Sequence, residues 1–166
     1  MLLRKIKETL QDVAKNIELL ALAGTLEALE AAINARVNAG YLGGKAFGDR
    51  QYANNFNRDE MMMAVYLAHL HRVRIYVTAN ILVDDSEMHK VAEYLIFLNN
   101  IDIDGIIVQD LGIIRLVKLI VPDLPLHAST QMTITSSSGV AFAAALGIER
   151  IVLARELSLE EIKRAC

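Results

Sequence analysis

A chain of 166 residues, of which 54% are hydrophobic and 22% charged, can bury the core of one ordinary domain, and this composition excludes a disordered polymer. A net charge of -3 excludes a global electrostatic attraction to nucleic acid, although a local basic patch stays compatible with it. No apolar run approaches the roughly 18–20 residues that span a bilayer, so we expect no membrane partner. The single cysteine, Cys166, excludes an internal disulfide or a metal site built from thiolates. Without a targeting signal, it predicts a cytoplasmic protein.

Residues 1–16 predict an amphipathic N-terminal helix that precedes the main domain. Apolar residues recur there at alternating spacings of three and four, namely Leu3, Ile6, Leu10 and Val13. Because about two heptads are too few for a coiled coil, we expect a helix that lies over the bottom of the domain formed by residues 17–166.

The rest of the chain alternates between short apolar strands and amphipathic helices. Strands are predicted near residues 17–22, 39–43, 74–79, 105–109, 126–129 and 150–154. Helices are predicted near residues 25–35, 58–71, 85–98, 111–120 and 136–146, with a last helix that Ser158 opens. Such alternation predicts an α/β fold with a parallel sheet.

Two architectures fit these six strand–helix units: a doubly wound open sheet, or a (β/α) barrel that is cut short. No strand is followed by a GxGxxG or P-loop pattern, so the dinucleotide and P-loop versions of the open sheet lose support. The sequence also ends inside a helix that has no stop signal. We therefore expect an incomplete TIM-like (β/α) barrel of about six units, truncated at its C-terminal end.

Helix caps support these boundaries. Asn57 with Glu60, and Ser158 with Glu161, have the spacing of capping boxes. Gly147 is a typical stop at the end of a helix.

Polar residues stand where the predicted strands end. In parallel α/β proteins these ends gather on one face, where ligands bind. We therefore expect Asn80, Asp110, His127 and Arg155 to share one opening. The residues predicted to bind substrate are Gly43, Gly44, Arg50, Asn80, Gln109, Gln131 and Arg155.

Several of these residues also have purely structural interpretations. Gly43 and Gly44 could cradle an anion with backbone N–H groups or simply form a turn. Arg50 could form a bidentate pair with a phosphate or carboxylate, or be a solvated surface residue.

The catalytic candidates are Asp110, His127 and Glu156, and each has an alternative. Asp110 could be a general base or the N-cap of the next helix. His127 could do acid–base work or be a hydrogen-bonded core residue. Glu156 could simply pair with Arg155. No sequence signature of a serine, cysteine or zinc protease is present.

Several segments resemble the collagenase-like peptidases of unknown catalytic type, peptidase family U32. The clearest are Tyr41-Leu42-Gly43-Gly44, Arg50-Gln51-Tyr52-Ala53-Asn54-Asn55-Phe56, Val108-Gln109-Asp110-Leu111-Gly112, Leu126-His127-Ala128-Ser129-Thr130-Gln131 and Ala154-Arg155-Glu156-Leu157-Ser158. The resemblance implies a TIM-like barrel at the N-terminal end of a longer protein. Arg36 departs from it, because the family has glycine at this helix-stop position, and it should cost about 1 kcal/mol.

The resemblance leaves three functional alternatives. Family members are named as proteases, which implies a hydrolase that binds a peptide. Others support hydroxylation of RNA bases or of a quinone precursor, some with an iron–sulfur cluster, whose cysteines would lie outside this chain. The third alternative is an inactive fragment. In each case we expect the chain alone to be inactive, to lack its C-terminal partner region, and to self-associate through the open edges of the barrel.

Overall fold

The structure, a computed structural model, describes residues 17–45, 47 and 55–165. The predicted N-terminal helix of residues 1–16 lies outside the described residues. No helix within the described ranges is both long and apolar enough to cross a membrane.

Six parallel strands form one sheet in which each strand pairs with the next along the chain. The strands are β1 (Leu20–Leu22), β2 (Ala39–Gly43), β3 (Arg74–Ala79), β4 (Gly105–Val108), β5 (Leu126–Ala128) and β6 (Arg150–Ile151). This order, with a helix after every strand, confirms the incomplete TIM-like barrel. In the described part of the chain, β1 and β6 are the two edge strands.

Six helices follow the strands in turn. They are α1 (Leu26–Asn34), α2 (Arg58–Leu70), α3 (Met88–Asn100), α4 (Leu111–Ile120), α5 (Ser137–Ala145) and α6 (Leu159–Ala165). Short 3-10 turns at Asp85–Glu87 and Thr130–Met132 interrupt two of the connections.

The predicted caps position the helix starts. Asn57 accepts a hydrogen bond from Glu60 N at 2.9 Å, and its own N–H donates to Glu60 Oε2 at 2.7 Å. The Ser158 and Glu161 pair repeats this arrangement at α6. Both capping boxes are therefore confirmed, and each satisfies backbone donors that a helix start leaves free.

Residue alternation divides the sheet into two faces. Leu42, Ile75, Val77, Ile106 and Leu126 point outward and pack with the helices in the main core. Intervening residues point into the barrel, where Ala39, Tyr76 and Ile107 form a smaller cluster against Tyr41. Because strand side chains alternate, every second residue of each strand is available to build an interior site.

Three helices end on a non-glycine residue in the left-handed conformation. Arg36, Arg72 and Asp102 have φ angles of 61°, 59° and 59° after α1, α2 and α3. Gly147 has a φ of 78° after α5, as its predicted stop role requires. Arg36 thus occupies the strained helix-stop position that the sequence predicts for it.

Candidate ligand-binding site at the strand ends

An open cavity of about 600 Å³ lies at the carboxyl ends of the strands. We call it the strand-end cavity. Its polar wall is formed by Asn55, Thr78, Asn80, Ser129, Gln131 and Arg155. Its apolar wall is formed by Leu20, Leu22, Tyr41, Ile107 and Val152. Each of the six strands or the residues just after it therefore contributes to one site.

Three amides form a hydrogen-bonded row along neighbouring strand ends. Gln109 Nε2 donates to the Asn80 carbonyl oxygen at 2.7 Å. Asn80 Nδ2 in turn donates to Gln131 Oε1 at 3.0 Å. These hydrogen bonds connect the residues that follow β3, β4 and β5. Asn80 is therefore held by contacts to both Gln109 and Gln131.

The Asn80–Gln131 pair leaves hydrogen-bonding groups unused. Asn80 Oδ1 is buried and accepts no hydrogen bond, and Gln131 Nε2 donates to no described residue. Swapping oxygen and nitrogen in both amides would still leave one donor and one acceptor unused. Asn80 Oδ1 is buried, so its missing partner costs free energy, whereas Gln131 is exposed and its Nε2 can donate to water or to a ligand in the cavity.

Four of the predicted substrate-binding residues line this cavity: Gly43, Asn80, Gln131 and Arg155. Gln109 lies behind it and acts through Asn80. Gly44 lies against Tyr94, and the next N–H, that of Lys45, donates to Phe56 O at 3.1 Å instead of facing an anion. Arg50 lies outside the described residues.

The catalytic candidates do not meet in the strand-end cavity. Asp110 is the N-cap of α4, where Oδ1 accepts a hydrogen bond from Ile113 N at 3.0 Å. Glu156 is exposed and does not line the cavity. The common opening that we expect for Asn80, Asp110, His127 and Arg155 therefore contains two of the four.

His127 lies one layer deeper in the barrel. It is only 5% exposed, and its ring meets the Tyr76 ring edge-on at a centroid distance of 4.6 Å. Burial, and to a smaller extent the nearby charge of Arg150, lowers the His127 pKa to about 4. The imidazole is thus neutral at pH 7. Because His127 stands two residues before Ser129 along the chain, both lie on the inner face, with His127 deeper in the barrel.

Sequence reasoning missed several cavity residues that alternation could have identified. Tyr41, Thr78 and Ile107 each lie two residues before a predicted site residue, namely Gly43, Asn80 and Gln109. On a strand such residues share a face. The alternation of side chains along each strand identifies these residues, whereas the predictions above used only the residues that follow each strand.

The sequence profile of peptidase family U32 matches residues 24–166. The chain belongs to this family. The match includes every residue that lines the strand-end cavity except Leu20, Leu22 and Ala23.

Relatives in family U32 carry two kinds of name. A Bacillus subtilis protein named a tRNA hydroxylation protein is 37% identical over 151 residues, which are 91% of this chain and 36% of that protein. An Escherichia coli protein named a 23S rRNA 5-hydroxycytidine synthase is 36% identical over 147 residues, 89% of this chain and 22% of that protein. A Methanocaldococcus jannaschii protein named an uncharacterized protease is 35% identical over 147 residues, 89% of this chain and 35% of that protein.

Solved structures support the fold. A U32 peptidase superposes with a TM-score of 0.73 at 14% identity over 88% of this chain and 62% of that chain. A thiamine phosphate pyrophosphorylase from Pyrococcus furiosus superposes with a TM-score of 0.57 at 14% identity, over 86% of this chain and 61% of that chain. The chain spans about a third or less of the length of the three curated relatives above, at 36%, 22% and 35%.

The residues of this U32 chain do not fit an iron–sulfur cluster. Within the described ranges, no group of three or more His, Cys, Asp or Glu side chains is placed to hold a metal ion. Cys166 is the sole cysteine of the sequence, whereas such clusters are held by several thiolates.

Proposed function

We propose that this chain is the N-terminal barrel portion of a protein that hydroxylates a base in RNA, and that the strand-end cavity binds this base. The Asn80–Gln131 amide pair carries the proposal, since it places a free donor, Gln131 Nε2, beside an unsatisfied buried acceptor, Asn80 Oδ1, at the end of a partly apolar cavity. The names of the tRNA and rRNA relatives support the same reaction class.

A nucleobase matches this wall chemically. Its Watson–Crick edge carries a donor beside an acceptor, and enzymes that modify bases read that edge by hydrogen bonds inside a pocket. Leu20, Leu22 and Val152 supply apolar surface for the faces of the base. Arg155 at the same wall supplies a positive charge for a phosphate or for an anionic co-substrate.

Peptide hydrolysis finds less support in these residues. Ser129 Oγ accepts the Gln131 N–H at 3.3 Å, and no described His, Asp or Glu side chain forms a hydrogen bond with Ser129. His127 faces Tyr76 in the interior, and Asp110 caps α4. The activated nucleophile that acyl transfer requires is not formed by the described residues.

An iron–sulfur cluster would have to be held by cysteines outside this chain. No part of the proposed base recognition depends on it, because Asn80, Gln109 and Gln131 act through hydrogen bonds alone.

Nucleoside titration of the purified chain tests the proposal. Uridine and cytidine should perturb the NMR signals of Asn80 and Gln131, and Asn80→Ala or Gln131→Ala should weaken binding by about threefold to tenfold, the effect of one lost hydrogen bond. Asn99→Ala, on the exposed side of α3, is the matched control and should leave binding unchanged. Binding that is absent, or that Asn80→Ala and Gln131→Ala leave intact, would refute base recognition at this site.

A gelatin assay tests the peptidase alternative. We expect the chain alone to leave gelatin and collagen uncleaved, because no nucleophile–base pair is formed. Cleavage that disappears on substitution of His127 or Asp110 would instead favour the hydrolase.

A further inference from the structure

A second cavity, of about 480 Å³, opens on the outer side of the sheet at the same end of the barrel. We call it the rim cavity. Residues that line it include Lys45, Phe47, Arg58, Lys90, Tyr94 and Phe97. They come from the segment after β2, the start of α2, and α3, and none of them lines the strand-end cavity.

The two cavities share one wall. Gly44 forms a parallel bridge to Phe56, with Phe56 N donating to Gly43 O at 3.0 Å. Gly43 and Asn55 line the strand-end cavity, whereas Lys45 and Phe56 line the rim cavity. A ligand that continues past this bridge would therefore pass from one cavity to the other.

The rim cavity offers one exposed flat surface for stacking, the guanidinium of Arg58, which aromatic rings support from below. The buried Tyr94 ring lies 5.4 Å from the buried Phe47 ring and 6.3 Å from the Phe97 ring, centroid to centroid. The Arg58 guanidinium lies 4.7 Å above the centroid of Phe97, and Arg58 is exposed. One face of this cation is thus on the aromatic ring, and nucleobases stack on such arginine planes and on aromatic rings.

Two exposed cations stand at the rim without an ion pair among the described residues. Lys45, Arg58 and Lys90 line the cavity together with two carboxylates, Glu87 and Glu93. Lys45 Nζ lies 3.9 Å from Glu60 Oε2, so Lys45 already has a partner. Arg58 and Lys90 are exposed, and each can contact a phosphate or a base that enters the cavity.

We propose that the rim cavity binds a nucleotide of single-stranded RNA next to the base held in the strand-end cavity, with its base stacked on Arg58 and its phosphate near Lys90. The inference rests on the proposed function for the identity of the bound chain. The guanidinium face of Arg58 and the charge of Lys90 together distinguish this occupant from an apolar peptide, which would leave both groups without a partner.

Fluorescence anisotropy with a labelled single-stranded octauridylate and the full chain tests the proposal. Arg58→Ala should weaken binding by about tenfold, in the range of one lost stacked base. Arg58→Lys keeps the positive charge but removes the planar guanidinium on which the base stacks. It should therefore weaken binding and leave the salt dependence of the affinity unchanged. Lys90→Ala should reduce the slope of log affinity against log salt by about 0.7, the value for one phosphate contact on a single strand.

Arg115→Ala, an exposed arginine of α4, is the matched control and should change neither affinity nor slope. Because Lys90 is exposed on α3, its substitution also separates loss of binding from loss of folding. Octamer affinity that is equal in the wild type, Arg58→Ala and Lys90→Ala would overturn the rim site.

Free uridine distinguishes the two proposals. If both hold, Arg58→Ala leaves uridine binding unchanged, whereas Asn80→Ala weakens it. Octamer binding that depends on Arg58 without any uridine binding would retain the rim site and refute base recognition in the strand-end cavity. Uridine binding that depends on Asn80, together with octamer binding that Arg58→Ala leaves unchanged, would retain base recognition in the strand-end cavity and refute the rim site.

Discussion

Glu18 pairs with Arg150 and thereby joins the segment before β1 to the first residue of β6, the two edges of the sheet. The same carboxylate accepts the Tyr76 hydroxyl at 2.8 Å and lies 2.6 Å from Arg74 Nη2. Glu18 is thus the shared partner of three groups from two strands, β3 and β6, at the bottom of the barrel.

Glu18→Gln should lower the free energy of unfolding by about 2 kcal/mol, because it removes a charge-assisted contact and leaves two arginines without their partner. Glu27→Gln, on the exposed side of α1, is the control and should change stability little. Urea unfolding of both variants measures the difference. Equal midpoints would show that the bridge between the two edges contributes nothing to stability.

Acid should weaken the same bridge. Desolvation raises the Glu18 pKa, but the Tyr76 hydrogen bond and the charges of Arg150 and Arg74 outweigh it, so the net pKa lies below the ordinary 4.5. Stability from Glu18 is therefore complete above pH 4.5 and is lost as the pH falls through its lower folded-state value.

His127 should produce a separate loss of stability at higher pH. Its folded-state pKa of about 4 lies below the ordinary 6.5, so between these values the unfolded chain binds a proton that the folded chain does not. Stability should fall as the pH drops from 6.5 to 4, with a slope of up to about 1.4 kcal/mol per pH unit from this residue.

His127→Gln should flatten the stability profile between pH 6.5 and 4, and His71→Gln, at an exposed position, is the matched control. Denaturant midpoints at half-unit intervals of pH provide the measurement. The burial argument fails if the His127 variant keeps the wild-type slope, or if the control flattens it equally.

Local signals explain why strands, helices and caps were predictable. Asn57 with Glu60 shows the capping spacing directly in the sequence, and Gly147 marks its helix end. Apolar runs such as the one ending at Asn80 are buried strands whose bounds agree with the structure. These features depend on neighbours within a few residues, which is the range that sequence patterns encode.

Contacts between distant segments were not predictable in this way. Glu18 and Arg150 are 132 residues apart, and no local sequence pattern around either residue indicates that they pair. His127 shows the same limit, because strand register decides that it stands below Ser129 and beside Arg150. The sequence therefore predicts that the candidate site lies at the strand ends. Which residues line it depends on how deep each side chain lies within the barrel, and the sequence does not show this.

Arg36 offers a direct test of local strain. Its φ of 61° is costly for a residue with a side chain, so Arg36→Gly should raise the free energy of unfolding by about 1 kcal/mol. Arg36→Ala is the matched control, since it removes the long side chain but keeps the Cβ, and it should give no comparable gain. If both variants gain equally in thermal unfolding, the arginine side chain is responsible and the backbone is not.

Gly44 is required by the close approach of Tyr94. A Cβ added at Gly44 would lie 2.0 Å from the Tyr94 hydroxyl oxygen, which is buried and has no hydrogen-bond partner. Gly44→Ala should therefore lower the free energy of unfolding by about 2–3 kcal/mol through overpacking. Tyr94→Phe alone should be close to neutral, because it removes an unsatisfied group.

The double variant Gly44→Ala with Tyr94→Phe should recover part of this loss, since the shorter ring relieves the closest contact. Denaturant unfolding of the four proteins gives the coupling energy. If the changes in unfolding free energy of the two single variants add up to that of the double variant, the strain does not lie between these two residues.

The open side of the barrel predicts self-association. Leu20, Leu22 and Val152 point into the barrel yet are 39%, 45% and 39% exposed, because each lies on or just after an edge strand. Apolar surface and unpaired strand edges of this kind favour a second chain or a missing part of a longer one. Light scattering of the chain alone should therefore return a mass above 18.4 kDa at high concentration.

Leu22→Glu should shift the chain toward the monomer, because a carboxylate cannot be buried in that interface without a partner. Leu159→Glu provides the matched control, since Leu159 is 78% exposed on α6, on the outside of the barrel. A wild-type monomer at high concentration would contradict the prediction. A mass that Leu159→Glu lowers and Leu22→Glu does not would place the contact on the helices, away from the open edges.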